Sequence, residues 1–201
     1  MSRTAQINPP TRNKILKASQ KLMLCQGYNA SSIDDVCEKA KVKKGAFFHY
    51  FKSKEQLAQE TLKDFLESAE LGAANAAFRT MEDPLERVLG YIDFIISKTL
   101  DPAAPKNCLL GILGGELSEM NPALRKQCLV YFEAQTAFLK EQLDLAKKEH
   151  GVRDEVNSRE LAEMFISTFQ GSMILRRVKQ DRKLVARNLE HFKRYLRSLF
   201  V

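Results

Sequence analysis

Apolar residues recur with a helical period along almost the whole chain. Ile15, Ala18, Ser19, Leu22 and Met23 fall at i, i+3, i+4, i+7 and i+8, one face of a helix, with Lys14, Lys17 and Lys21 on another. Gly27 is placed to end that helix. Ser31 and Asp34 have capping spacing before a second apolar face of Ile33, Val36, Cys37 and Ala40. A short helix is expected from about Lys43 to Tyr50. Ser53 and Gln56 have capping-box spacing for the next, which reads as continuous to about Arg79. Asp83-Pro84 and Asn121-Pro122 each place a cap before a proline at the first helical position. Asn157 with Glu160 is a further box, and Asp181 opens the last segment. "KTLDPAAPKN" and "EHGVRDEVN" read as loops. No long alternating run or hairpin dipeptide signals a strand. The pattern predicts an all-α chain of about nine helices: three short and basic, then six mostly longer.

Charge divides the chain unevenly. The net charge is +7. Residues 1–55 carry 11 Lys/Arg against 4 Asp/Glu, and residues 56–201 carry 21 of each, so the whole excess lies in the first quarter. Such asymmetry suggests a polyanionic partner at that end. The expected division is a disordered tail over 1–10, a helix-turn-helix head over 11–55, and a larger helical body over 56–201. No apolar run approaches the roughly 18 residues of a membrane span, and the start lacks a secretory pattern, so the expected location is the cytoplasm.

"KVKKGAFFHYFKSKEQL", Lys41 to Leu57, interleaves lysines and aromatics between two capped helices. Two helices of about eight residues joined by a tight turn present the second to the DNA major groove, which just admits an α-helix. Lys43 and Lys44 stand at the leading end, within reach of phosphate or a guanine edge. Gly45 and Ala46 are small enough for close backbone approach. Phe47 and Phe51, four apart, face the core. His49 and Tyr50 flank the helix end. Ser53 with Lys54, and Ser31 with Ser32, begin helices whose N-termini favour phosphate.

On these residues, "GYNASSIDDVCEKAKVKKGAFFHYFKSKEQL" resembles the TetR family of bacterial transcriptional regulators. The resemblance covers about residues 11–57; beyond them only length and helical layout agree. It implies an all-α homodimer with a DNA-binding head and a ligand-binding, dimerising body, usually a repressor released by a small molecule. By position, Lys43, Lys44, Gly45 and Ala46 fall where the family meets bases. His49, Tyr50 and Lys54 fall on phosphate-contacting positions, and Ser31 on the start of the preceding helix. Phe48 stands where the family usually has Tyr, removing a hydroxyl from the phosphate face. Lys41 replaces the turn glycine and must adopt a left-handed backbone or a different turn. Cys37 replaces the usual alanine.

In the body, Leu161, Phe165, Thr168, Phe169, Ser172 and Met173 share one side of a helix. Leu184, Val185, Leu189, Phe192, Leu196 and Leu199 share another. These faces are expected to pair with a second copy as a four-helix bundle, so that two heads read the half-sites of a palindromic double-stranded operator. An apolar pocket is expected from Tyr91, Phe94, Ile95, Cys108, Ile112, Glu116, Tyr131, Met164, Phe165 and Phe169, for an unidentified small-molecule effector. Cys108, after Asn107 as a possible cap and near Lys106, is the candidate redox or electrophile switch, with Cys128 as resolving partner. Buried free thiols are the plainer reading of all four cysteines. No zinc spacing, nucleophile–base pair or nucleotide loop occurs, so no metal, cofactor or enzyme activity is expected. The alternative is a helical protein–protein adaptor that binds no DNA, which leaves the basic head unexplained.

Overall fold

The computed structural model describes residues 9–117, 119, 121–153 and 155–201. Its elements are α1 (Pro9–Gln26), α2 (Ile33–Ala40), α3 (Lys44–Tyr50), α4 (Lys54–Ala73), a 3-10 turn (Ala77–Thr80), α5 (Pro84–Leu100), α6 (Leu109–Leu117), α7 (Pro122–His150), α8 (Ser158–Lys179) and α9 (Leu184–Leu199). Among the described residues the sole β-type pairing is an isolated bridge between Val152 and Phe200. The expected disordered tail lies outside the described residues as far as residue 8; α1 opens at Pro9.

Three apolar clusters organise the chain. The first joins α1, α2 and α3 through Ile15, Leu16, Val36, Phe47, Phe51 and Leu57. The second runs from Met23 and Tyr28 across Ala58 and Leu62 of α4 to Leu109, Leu113 and Leu124. The third fills the body between α5, α7, α8 and α9. Helix α4 thus leaves one core with Leu57 and enters the next with Ala58. Arg12 pairs with Glu60 at 2.8 Å, tying α1 to α4.

The caps correct the expected register by one residue. Ser32, not Ser31, caps α2: its hydroxyl accepts from the Asp35 amide, and the Asp35 carboxylate accepts from the Ser32 amide. Ser31 is buried and donates to the Gly27 carbonyl at 2.6 Å, closing the loop after α1. Ser53 caps α4 and accepts from the Gln56 amide. The Gln56 side chain accepts from the Lys52 amide instead of the cap's own. Asp83, Asn121 and Asn157 cap α5, α7 and α8 as the sequence predicts. The long fourth helix ends at Ala73, short of Arg79, because Phe78 turns inward against Tyr91 and Phe94.

Lys41 takes the left-handed conformation, φ 55° and ψ 48°. Its amide donates to Glu38 and that of Val42 to Cys37, each at 3.0 Å, a Schellman end to α2. A side chain in this region costs about 1 kcal/mol that glycine does not. Lys41→Gly is therefore expected to raise stability by up to about 1 kcal/mol, read as a higher denaturation midpoint at unchanged m-value.

The apolar faces assigned above to a partner complete this chain's own core instead. Leu161, Phe165, Leu189 and Leu196 lie in one cluster, Phe165 and Phe192 stack 5.7 Å apart, and Asn188 donates to Ser172 at 2.9 Å. The large apolar residues left in solvent on these helices are Met164, Ile174, Leu175, Val178 and Tyr195.

Candidate nucleic-acid interface

Helix α3 is short and carried by two rings. Phe47 is fully buried, and Phe51 just beyond the helix is 1% exposed, so the opposite face is held outward. That face presents Lys43 at the N-cap, Lys44, Gly45, Phe48 and His49, all exposed, with Ala46 and Tyr50 half-buried. The structure therefore brings these sequence-picked residues onto one helix, with lysines at the end where free amides point out.

Each has a defined setting. Lys44 pairs with Asp34 of α2 at 2.9 Å, and that bond raises its pKa. Phe48 is 48% exposed and packs edge-on against Phe47. His49 packs edge-on against Tyr50. A Cβ built on Gly45 would meet nothing within 4 Å. Nothing inside the protein requires glycine there, although glycine within a helix costs about 1 kcal/mol relative to alanine.

Lys54 and Ser31 depart from the expected contact set. The Lys54 ammonium lies 4.1 Å from the centre of the Tyr28 ring and donates to the Asn29 carbonyl at 3.3 Å. Burial lowers its pKa. It braces the α1–α2 loop from the edge of the face. Tyr28 in turn donates to Glu55 at 3.2 Å, and burial pushes its phenol up to about 12. Ser31 is 1% exposed and its hydroxyl is used internally, so it offers nothing to a phosphate.

The residues expected to form one pocket are dispersed. Tyr91, Phe94 and Phe165 join Phe78 and Phe138 in a packed aromatic group, with the Tyr91 hydroxyl accepting from Gln135 at 2.7 Å. Phe169 and Ile95 pack against the same core, and Met164 is exposed. Tyr131 belongs to the second cluster, beside the α4 end of the body. Cys108 and Ile112 line a cleft of about 530 Å³ between α6 and α8 with Gly111, Gln170 and Met173. Cys108 immediately precedes α6 and its carbonyl accepts from Ile112. Asn107 does not cap that helix; its amide donates to Leu24 in α1 at 2.7 Å. Gln170 donates to the Cys108 sulfur at 3.5 Å. Cys37 and Cys128 are buried, which raises both thiols, while Cys25 is exposed.

Glu116 lies away from these groups, at the joint between head and body. Its carboxylate accepts from the Asn29 amide at 2.8 Å and fills the space a side chain at Gly27 would need. Asn107 and Arg177 hold the carbonyls of Leu24 and Cys25 at the end of α1, the latter at 3.2 Å. Residues 27, 29, 107 and 177 were not singled out from the sequence as a joint, because their partners lie 83 to 152 positions apart.

Residues 15–61 match the model described as bacterial regulatory proteins, tetR family, and residues 84–192 match the tetracyclin repressor-like C-terminal domain. The chain belongs to the TetR family. A similar protein is the HTH-type transcriptional repressor DhaR of Mycobacterium sp. (strain GP1), 25% identical over 174 residues, 87% of this chain and 86% of that one. A TetR regulator from Chloroflexus aurantiacus superposes with a TM-score of 0.83 at 21% identity, over 94% of this chain and 96% of its own. The reduced form of Escherichia coli NemR superposes at 0.75 and 20% identity, over 95% and 97%. TetR regulators bind DNA operators and form dimers, and this chain is a DNA-binding transcriptional regulator of that family with the same two-part helical fold. Among the described residues no helix is long and apolar enough to cross a membrane.

Proposed function

We propose that this TetR-family chain is a repressor acting as a homodimer on a palindromic double-stranded operator, with no catalytic activity, in the cytoplasm. The observation that carries the reading is α3: its lysine-tipped, solvent-facing side includes a glycine with no internal reason to be one. Lys43 and Lys44 reach bases or phosphates, Gly45 and Ala46 admit close approach, and His49 and Tyr50 meet the backbone. Phe48 offers an apolar face, of the kind that meets a thymine methyl. Ser32 is spent on its cap, and Lys54 supports the loop beside the DNA. The head spans 11–55 and the body 56–201. The hand-over from Leu57 to Ala58 between cores supports a division near that point.

The partner copy joins through α8 and α9, by the outward residues Ile174, Leu175, Val178 and Tyr195. Two heads about 34 Å apart, or a multiple of that, then read two half-sites. The effector is a small molecule seated in the cleft beside Cys108 and Ile112, or an electrophile that modifies Cys108 there. Binding of the full-length protein to duplex DNA flanking its own coding sequence tests the reading. Affinity is expected to fall by about 10³-fold or more between 50 and 200 mM salt if six or more phosphates are contacted. A salt-independent or sequence-blind interaction would favour the adaptor.

A further inference from the structure

Arg176 stands on the buried stripe of α8, three positions after Met173. It is 4% exposed. Its guanidinium makes one long hydrogen bond, to the Pro105 carbonyl at 3.5 Å, and among the described residues it pairs with no carboxylate. An arginine removed from water is normally matched by an acid. Here its charged neighbour is Arg182, and desolvation together with that second cation lowers its pKa. Arg176 opens onto a cleft of about 250 Å³ also lined by Lys106, Arg177, Gln180 and Arg182, four cations and no carboxylate. The two nearby acids are otherwise engaged: Asp181 holds Arg187 and the Lys183 amide, and Asp101 holds the Ala103 amide.

We propose that this cleft, between the loop after α5 and the C-terminal end of α8, binds a small anion bearing carboxylate or phosphate groups, with Arg176 at its floor and Lys106, Arg177 and Arg182 at its rim. The buried guanidinium supplies a fork for two oxygens, and the rim charges attract the ligand and neutralise it. A duplex is too wide to reach Arg176. The dimer face lies elsewhere, because Ile174 and Val178 are two residues away and so point from the opposite side of the helix.

The position gives the anion a consequence. Arg177 lines the same cleft and also holds the Cys25 carbonyl at the end of α1. An oxyanion that draws Arg177 inward releases that carbonyl and loosens the head, weakening operator binding. This coupling rests on the DNA-binding reading; the anion site does not.

Thermal unfolding of the full-length protein with inorganic phosphate or with citrate, against chloride at matched ionic strength, tests the site. A bound anion at about a hundred times its Kd is expected to raise Tm by roughly 5–10 °C. Arg176→Gln, and the exposed Arg182→Gln, are each expected to weaken binding at least tenfold. A larger shift with phosphate identifies a phosphate ligand, and a larger shift with citrate a carboxylate one. No shift beyond chloride with either probe overturns the proposal, as does an undiminished shift in Arg182→Gln, which reads the site even if Arg176→Gln fails to fold. Operator affinity is measured in parallel. A chain that binds the anion but no operator removes the DNA reading and leaves the site. A chain that binds both independently removes the coupling.

Discussion

Lys44→Ala combined with His49→Ala is expected to lower operator affinity by about a hundredfold or more while leaving fold and dimer unchanged. Both side chains project from α3 into solvent and neither enters the head cluster. The single internal bond lost is the exposed Lys44–Asp34 pair, of a kind worth about 0–1 kcal/mol. Each base-edge contact removed costs about 1–3 kcal/mol of specific binding, and each phosphate lysine about one unit of the salt slope. Fluorescence anisotropy on labelled operator across a salt series reads both quantities. Gel filtration and the thermal midpoint of the variant establish that the body is intact. Unchanged affinity would remove α3 as the reading element.

Phe47→Ala should have the largest effect on the head itself. Phe47 is fully buried, with Phe48 and Phe51 rings 5.2 and 5.8 Å away. Truncating such a ring costs about 3–5 kcal/mol. A unit of under 60 residues buries a small fraction of its surface and holds little stability in reserve. The head is therefore expected to unfold ahead of the body, splitting denaturation into two steps and abolishing operator binding while the dimer persists. Circular dichroism followed through a urea titration separates the steps. A single cooperative transition with full operator binding would show that α3 is held by something other than this cluster.

The helical plan and the α3 face were legible because both are local. Period 3.6, the Asp83-Pro84 and Asn121-Pro122 caps and the Phe47–Phe51 spacing depend on neighbours a few residues away. Registers failed where local signals repeat. Ser31-x-x-Asp34 and Ser32-x-x-Asp35 read alike, and burial of Ser31 against Gly27 decides between them. The end of α4 failed for the opposite reason. Its alanine-rich tail has no breaker, and the inward turn of Phe78 toward Tyr91 is a tertiary event that overrides helix propensity. The body's apolar faces gave the right residues and the wrong partner, since periodicity marks what is buried and not against what. Glu116 was a lone acid among candidate lining residues, and its partner at Asn29 is 87 positions distant. Arg176 did leave a trace, a cation on an otherwise apolar stripe, which composition alone cannot distinguish from a surface charge.

The Glu116 carboxylate against Gly27 and Asn29 limits how freely this head could be grafted. Fused to a foreign body, the first quarter of the chain would need an acceptor waiting at that seat, or the Asn29 amide loses its bond. A body with a bulkier side chain there would push the α1–α2 loop out of line, since the seat has room for a carboxylate and little else. Modular exchange among such regulators would then depend on one matched docking point as much as on the choice of recognition helix.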